Sequence, residues 1–345
     1  MIYNLLFTSA AFVNLVTYLS FEIRRRAYYI LLFLLFLFVT FRWQVGCDWG
    51  GYLVHAQRGG MPFDDALALP EPGYWLLVVT LNRLGFEYPA INVIAALSFF
   101  SGVHAVARRQ PDPLVYLTLL FPLLITGVAM SATRQGLAMG FLCYAFNAFI
   151  DKRPARYILL IFLGMSFHKS LIAFIVLVPF LFEIGARNKF IAICAALPVV
   201  LYLATTDTAD RYTSMYVGTR YEAAGGIFRT FVVAATGIAF HFLKARWKTY
   251  SPKDFELLNL VYPAMIAVLP LTFVSSVIGD RFGYYLMLLA YVIQAKAYLL
   301  VDRRNAFFFF LIPVMVGGLV LFGWSQFSSL FSLCYLPYRT WWIMD

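Results

Sequence analysis

Long apolar stretches recur along almost the whole chain, separated by short polar ones. They run for about 15 to 24 residues, close to the roughly 20 that carry a helix across a bilayer. None alternates apolar and polar residues one by one, as a membrane barrel strand would. The pattern predicts an all-α fold: a polytopic transmembrane helix bundle of about 12 to 14 membrane helices. Spans are expected near 2–21, 27–42, 90–107, 113–130, 135–150, 155–168, 170–184, 190–206, 229–244, 255–278, 282–300 and 305–323, with an ambiguous apolar tail at 327–338. The apolar piece from Gly73 to Leu81 is shorter and runs into Asn82 and Arg83, so one partial or interfacial helix is expected near 73–84. The two longest polar interruptions, near 42–72 and 205–229, are too short for a soluble domain and read as outer loops of a single integral membrane domain, 1–345.

Composition agrees with this pattern: 62% of residues are hydrophobic, 13% are charged, and the mean hydropathy is +0.78. A net charge of +10 would suit a nucleic-acid partner, but the placement of the cations argues otherwise. If 73–84 does not cross, Arg24 to Arg26, Arg108 and Arg109, Lys152 with Arg153, Arg187 with Lys189, Lys244 with Arg246, and Arg303 with Arg304 all fall on one side. Basic residues are retained on the cytoplasmic side, so this side is inner, the N-terminus is outside, and no nucleic acid is implied. The first segment, followed by three arginines and without a small-residue cleavage site, reads as an uncleaved span.

Three very short outer turns carry a cation each: Arg134 in MSATRQGLAM, Lys169 beside His168 in SFHKS, and Arg281 in GDRFGYY. Each stands at the expected start of an inward-running helix, where free backbone N–H groups and the positive dipole end favour anions. A cation at a membrane surface can also simply snorkel, but cations in otherwise minimal outer turns are disfavoured and need a reason. A phosphate group on the outer face supplies one.

Other residues on that face suit a sugar. In RWQVGCDWGGY, from Arg42 to Tyr52, Asp48 is bracketed by glycines and by Trp49 and Tyr52, whose flat faces complement sugar rings. The second outer loop interleaves Arg211 and Arg220 with Tyr212 and Tyr221, planar forks for phosphate beside rings that stack on sugar. His168 can accept a proton near neutral pH. Glu71, before Pro72, and Asp280, beside Arg281, are expected to cap helices. Cys47, Cys143, Cys194 and Cys334 are scattered singly and support neither a disulfide framework nor a zinc site. Nucleotide-binding glycine loops, HExxH and the serine-hydrolase elbow are absent from the sequence.

Taken together and in order, RWQVGCDWGGY, EPGYWLL, SATRQGLAMGF, SFHKS and GDRFGYY resemble the EpsG family of Wzy-type bacterial polysaccharide polymerases, most strongly from Arg42 to Ser170. The resemblance implies a multi-pass inner-membrane glycosyltransferase that joins repeat units of O-antigen, capsule or exopolysaccharide on the periplasmic face. Undecaprenyl-diphosphate-linked oligosaccharides would be its substrates, with a chain-length regulator as a candidate partner and no cofactor or metal. Asp48, Arg134, His168 and Arg281 are then the expected catalytic residues. Arg42, Trp49, Tyr52, Lys169, Arg211, Tyr212, Arg220 and Tyr221 are the expected substrate-binding residues. The rival readings are a flippase or transporter for the same lipid-linked sugar, and an O-antigen ligase. A transporter should carry ionisable groups near the midplane or on both sides of a cavity, whereas the candidates here collect on one face.

Overall fold

In a computed structural model, residues 2–16, 20–196, 198 and 225–342 are described. The described residues form an all-α assembly. It begins with α1 (Ile2–Val16), α2 (Phe21–Thr40), α3 (Trp49–Gln57), α4 (Phe63–Ala68), α5 (Pro72–Arg83) and α6 (Tyr88–Ala107). Then come α7 (Pro113–Leu120), which passes into a π-helical stretch over Phe121–Ala129, α8 (Thr133–Ile150), α9 (Pro154–Met165), a 3₁₀ segment over Lys169–Leu181, and α10 (186–196). The chain closes with α11 (Gly226–Tyr250), α12 (Pro252–Val274), α13 (Ser276–Ala297), α14 (Arg303–Phe327) and α15 (Ser329–Tyr335).

The expected 12 to 14 membrane helices are not found. Among the described residues, five helices are long and apolar enough to cross a membrane: α6, α11, α12, α13 and α14. The other apolar runs are shortened or interrupted for identifiable reasons. α2 carries Glu22 and Arg24 to Arg26 in its first turns. The run after Pro113 changes from α to π geometry at Phe121 and Pro122. After the 12-residue α9, the chain tightens into 3₁₀ geometry, with Pro179 inside the segment. Hydropathy therefore located these apolar pieces, but Ile2–Val16, Pro113–Ala129, Pro154–Met165 and Lys169–Leu181 are helices shorter than a full span.

Local chemistry sets many of the boundaries. Proline in the first turn opens α5, α7, α9 and α12, where its missing N–H costs no hydrogen bond. Asp112 caps α7 by accepting from the Val115 N–H at 3.3 Å, and Ser275 caps α13 by accepting from Ile278 at 3.4 Å. That cap puts the α12–α13 break at Ser275, so Gly279 to Arg281 lie inside the first turns of α13 rather than in a turn before it.

The core is centred on α7, α8 and the second half of α13, whose residues are mostly buried. α14 lies at the edge, with Phe308, Ile312, Met315, Leu319 and Phe322 exposed. Exposed apolar side chains also cover α2 and α11, and contiguous apolar surface of this extent is what a membrane covers. Residues 49–83 fold differently, as short helices around a separate apolar cluster that includes Tyr52, Tyr74, Trp75 and Val79.

The expectation of no disulfide fails: Cys47 is bonded to Cys334. The bond fastens the chain before α3 to the end of α15, and the Gly46 N–H donates to the Cys334 carbonyl at 2.7 Å.

Candidate functional site

Two close backbone approaches build the site. Gly46 has φ +105°, and a Cβ there would fall 2.1 Å from the Met130 carbonyl oxygen. Only glycine lets this strand of chain lie against the turn before α8, which brings Asp48 next to the segment bearing Arg134. At Gly73 a Cβ would meet the Ser166 hydroxyl at 2.2 Å, and the Tyr74 N–H donates to the Ser166 carbonyl at 3.2 Å. The start of α5 is thereby seated on the end of α9, so Glu71 reaches His168 and the 3₁₀ segment.

These approaches enclose a cavity of about 250 Å³. Arg134, His168, Asp48 and Arg281 all line it, together with Tyr52 and Tyr284. Gly127, from the π-helical stretch, forms part of the wall; such irregular turns recur at functional sites. All four residues expected to be catalytic thus share one cavity although they come from four separate parts of the chain.

Glu71 joins the cations beneath. Its Oε2 accepts from Arg134 Nη1 at 2.6 Å, its Oε1 accepts from the Lys169 N–H at 3.0 Å, and His168 Nδ1 lies 3.5 Å from Oε1. Its side chain makes no capping bond to α5, contrary to the expected role, and its backbone is left-handed at φ 61°. Left-handed backbone is unusual for a non-glycine residue and persists where surrounding contacts hold it. Here those contacts are the carboxylate's hydrogen bonds to Arg134 and the Lys169 N–H, with His168 packed beside them.

His168 is oriented from one side. Nδ1 lies 3.1 Å from Ser170 Oγ, which in turn lies 3.1 Å from the Tyr285 hydroxyl. This leaves Nε2 for whatever occupies the cavity. Burial, then the charges of Arg281, Arg134 and Lys169, push the imidazole well below the ordinary histidine pKa, so it is neutral at pH 7. Asp48 is exposed at the rim, yet desolvation by the surrounding walls raises its carboxyl from its ordinary value against the pull of Arg134 and Arg281. The Tyr52 hydroxyl accepts from the Arg134 backbone N–H at 3.2 Å, and burial pushes it up to about 12, so it remains a phenol.

Arg281 is held through its backbone, whose carbonyl accepts from Gln135 Nε2 at 3.1 Å. Asp280 does not cap a helix; its Oδ1 accepts from Arg229 Nε at 2.6 Å. That pairing neutralises Asp280, so that among the described residues Arg134, Arg281 and Lys169 stand beside Glu71 and Asp48.

The remaining expected residues lie elsewhere. Arg42 is buried, donates to the Val39 carbonyl at 2.6 Å and to Thr133 Oγ1 at 3.2 Å, and does not line the cavity. Trp49 opens α3 with its ring 6.3 Å from that of Trp43, also outside the lining. Arg211, Tyr212, Arg220 and Tyr221 lie outside the described residues. Glu71, Ser170 and Tyr285 are the members of the site that the sequence reading did not assign to it. The EPGY motif was the available signal for Glu71: an acid placed before a proline and a glycine that must pack closely.

The model of the EpsG family matches residues 25–340. No curated protein and no solved structure matches the chain.

Proposed function

The chain belongs to the EpsG family, and from that premise we propose that it is a Wzy-type polysaccharide polymerase acting on undecaprenyl-diphosphate-linked oligosaccharides at the outer face of a bacterial inner membrane. The observation that carries this reading is the cavity itself, in which Arg134 and Arg281 face a neutral His168 and Asp48 beside the Tyr52 ring. Cations for a lipid diphosphate, an uncharged base and an aromatic wall for sugar are the parts such a transfer needs.

In the proposed reaction, a hydroxyl oxygen of the incoming lipid-linked unit attacks the anomeric carbon of the growing glycan. The bond from that carbon to the diphosphate oxygen breaks, and undecaprenyl diphosphate leaves with the electron pair. Arg134 and Arg281 stabilise the negative charge that grows on the departing phosphate, and such preorganised charge is usually the largest catalytic term. His168 Nε2 takes the hydroxyl proton, while Ser170 and Glu71 hold the ring from its Nδ1 side. Asp48 orients the acceptor sugar, and Lys169, at the start of the 3₁₀ segment, adds positive potential behind the diphosphate.

Two observations support the outer-face assignment. Disulfides persist in oxidising compartments outside the cytosol, and Cys47–Cys334 lies at the cavity end. The opposite end gathers Arg24, Arg108, Arg109, Lys152 and Arg246, as expected for a cytoplasmic face.

The test is complementation of a strain lacking its own polymerase, with the glycan ladder read at matched membrane levels of protein. Wild type should restore the ladder, and Arg134→Ala should leave single repeat units. If single units fail to reach the outer face without this protein, it is a flippase and the proposal is wrong.

A further inference from the structure

At the end of the molecule remote from the candidate site, a second and larger cavity of about 500 Å³ opens between the start of α2, the α6–α7 turn and the end of α13. Its charged lining consists of Arg24, Arg25, Arg108 and Asp112. Arg24 and Asp112 are buried and paired with each other, which cancels their charge. Arg25 and Arg108 supply the remaining positive potential. Arg25 is exposed and only loosely paired with Glu22, at 3.4 Å on the same helix. The adjacent Arg109 turns away to form a two-pronged pair with Asp151, at 2.9 and 2.6 Å, whereas Arg108 faces the cavity.

Gln110 also lines the wall. Gln110 donates its amide N–H to the Val106 carbonyl at 3.0 Å, which fixes the amide orientation, and its Oε1 is buried with no hydrogen-bond partner. Tyr28, Tyr29 and Tyr298 complete an amphipathic rim.

Beyond the rim, α2 continues the cavity as an apolar track. Phe21, Tyr29, Ile30, Phe33 and Leu34 are 50% to 66% exposed along it. A free inorganic anion would use the arginines alone. An anionic headgroup with two acyl chains would use the arginines and the α2 track together. Basic pockets between helices at a membrane surface suit phospholipid headgroups for the same electrostatic reason.

We propose that this cavity binds one anionic phospholipid of the phosphatidylglycerol type. Its phosphodiester lies between Arg25 and Arg108, its headgroup lies in the cavity against Gln110 and Tyr298, and its chains lie along the exposed face of α2. That the leaflet is the inner one follows from the sidedness proposed above; the binding itself does not depend on it or on the polymerase reaction.

Native mass spectrometry of the detergent-solubilised full chain tests this, with phosphatidylglycerol, phosphatidylcholine and inorganic phosphate as separate probes. The expected result is one retained phosphatidylglycerol, with phosphatidylcholine and phosphate bound far more weakly. In an Arg25→Gln/Arg108→Gln variant that affinity should fall roughly tenfold or more, since each surface cation contributes to holding an anionic lipid. Arg109→Gln, whose partner is Asp151, should retain it. Equal retention of phosphatidylcholine by the wild-type protein would overturn the proposal without reference to any variant. Phosphate binding as tight as that of the lipid would show a free-anion site instead, and phosphatidylglycerol binding undiminished in the double variant would place the lipid elsewhere.

Discussion

The two ends of the molecule handle charge differently. At the basic end, four cations meet one carboxylate each: Arg24 with Asp112, Arg109 with Asp151, Lys152 with Glu256, and Lys296 with Asp254, while Arg25 and Arg108 border the second cavity. These pairs tie α2 to the start of α7, the α6–α7 turn to the end of α8, α8 to α12, and α12 to α13. At the other end, one carboxylate serves several partners, as Glu71 holds Arg134, the Lys169 N–H and the edge of His168. Arg281 enters the cavity from the first turns of α13, where its backbone carbonyl accepts from Gln135 Nε2. Closed pairs fasten helices, whereas positive charge left in excess around a cavity creates a place for an anion.

The contrast is broken most severely by removing the excess charge. Arg134→Ala or Arg281→Ala should lower the rate of polymer formation by roughly 100- to 1000-fold, as expected for losing one preorganised group that meets developing charge. Quantified ladders at equal protein levels would check this. Glu71→Gln should weaken activity less than Arg134→Ala, because the amide oxygen can still accept from one of the two donors, Arg134 or the Lys169 N–H, and the cavity cations remain.

His168→Ala should cost about 100-fold or more, the usual contribution of a positioned base. Its pH dependence sharpens the argument. The imidazole pKa is depressed, so the active neutral form persists through neutral pH and is lost as pH falls through the lowered pKa, below the ordinary histidine range. Arg281→Ala removes one of the depressing charges, so the acid limb of the residual activity should move to higher pH. An unmoved limb would remove His168 from the role of base.

At the basic end the same logic predicts stability effects without catalytic ones. Asp254→Ala leaves the buried Lys296 ammonium without its carboxylate, and breaking a buried pair in this way costs about 3 to 5 kcal/mol. Thermal unfolding should register it, while activity per folded molecule stays near wild type. Arg109→Ala removes a partly exposed pair and should change stability by about 1 kcal/mol or less.

Apolar periodicity made the helical class legible, but not the number of membrane-length helices. Hydropathy does not register the passage into π geometry at Phe121 or into 3₁₀ geometry at Lys169, and it discounts the charges at the start of α2. The joining of Arg134, His168, Asp48 and Arg281 in one cavity was legible because each stood out against an apolar background at the same expected face. Glu71 was misread because an acid before Pro72 has the pattern of a helix start, and its tertiary partners are invisible at that scale. Cys47 and Cys334 gave no hint of pairing, since isolated cysteines 287 residues apart carry no spacing signal. Arg42 shared a motif with Asp48, yet its guanidinium is spent on Val39 and Thr133.

The central claim, that the open end performs glycosyl transfer from a lipid diphosphate, is tested most directly with purified protein and a single lipid-linked repeat unit. Glycan length and released undecaprenyl diphosphate would be measured together for wild type and Arg134→Ala. The account predicts one lipid diphosphate released for each new linkage by wild type, and neither product from Arg134→Ala. Linkages formed at an undiminished rate by Arg134→Ala, or no linkage by active wild type under conditions where it moves the lipid-linked unit across a bilayer, would contradict it.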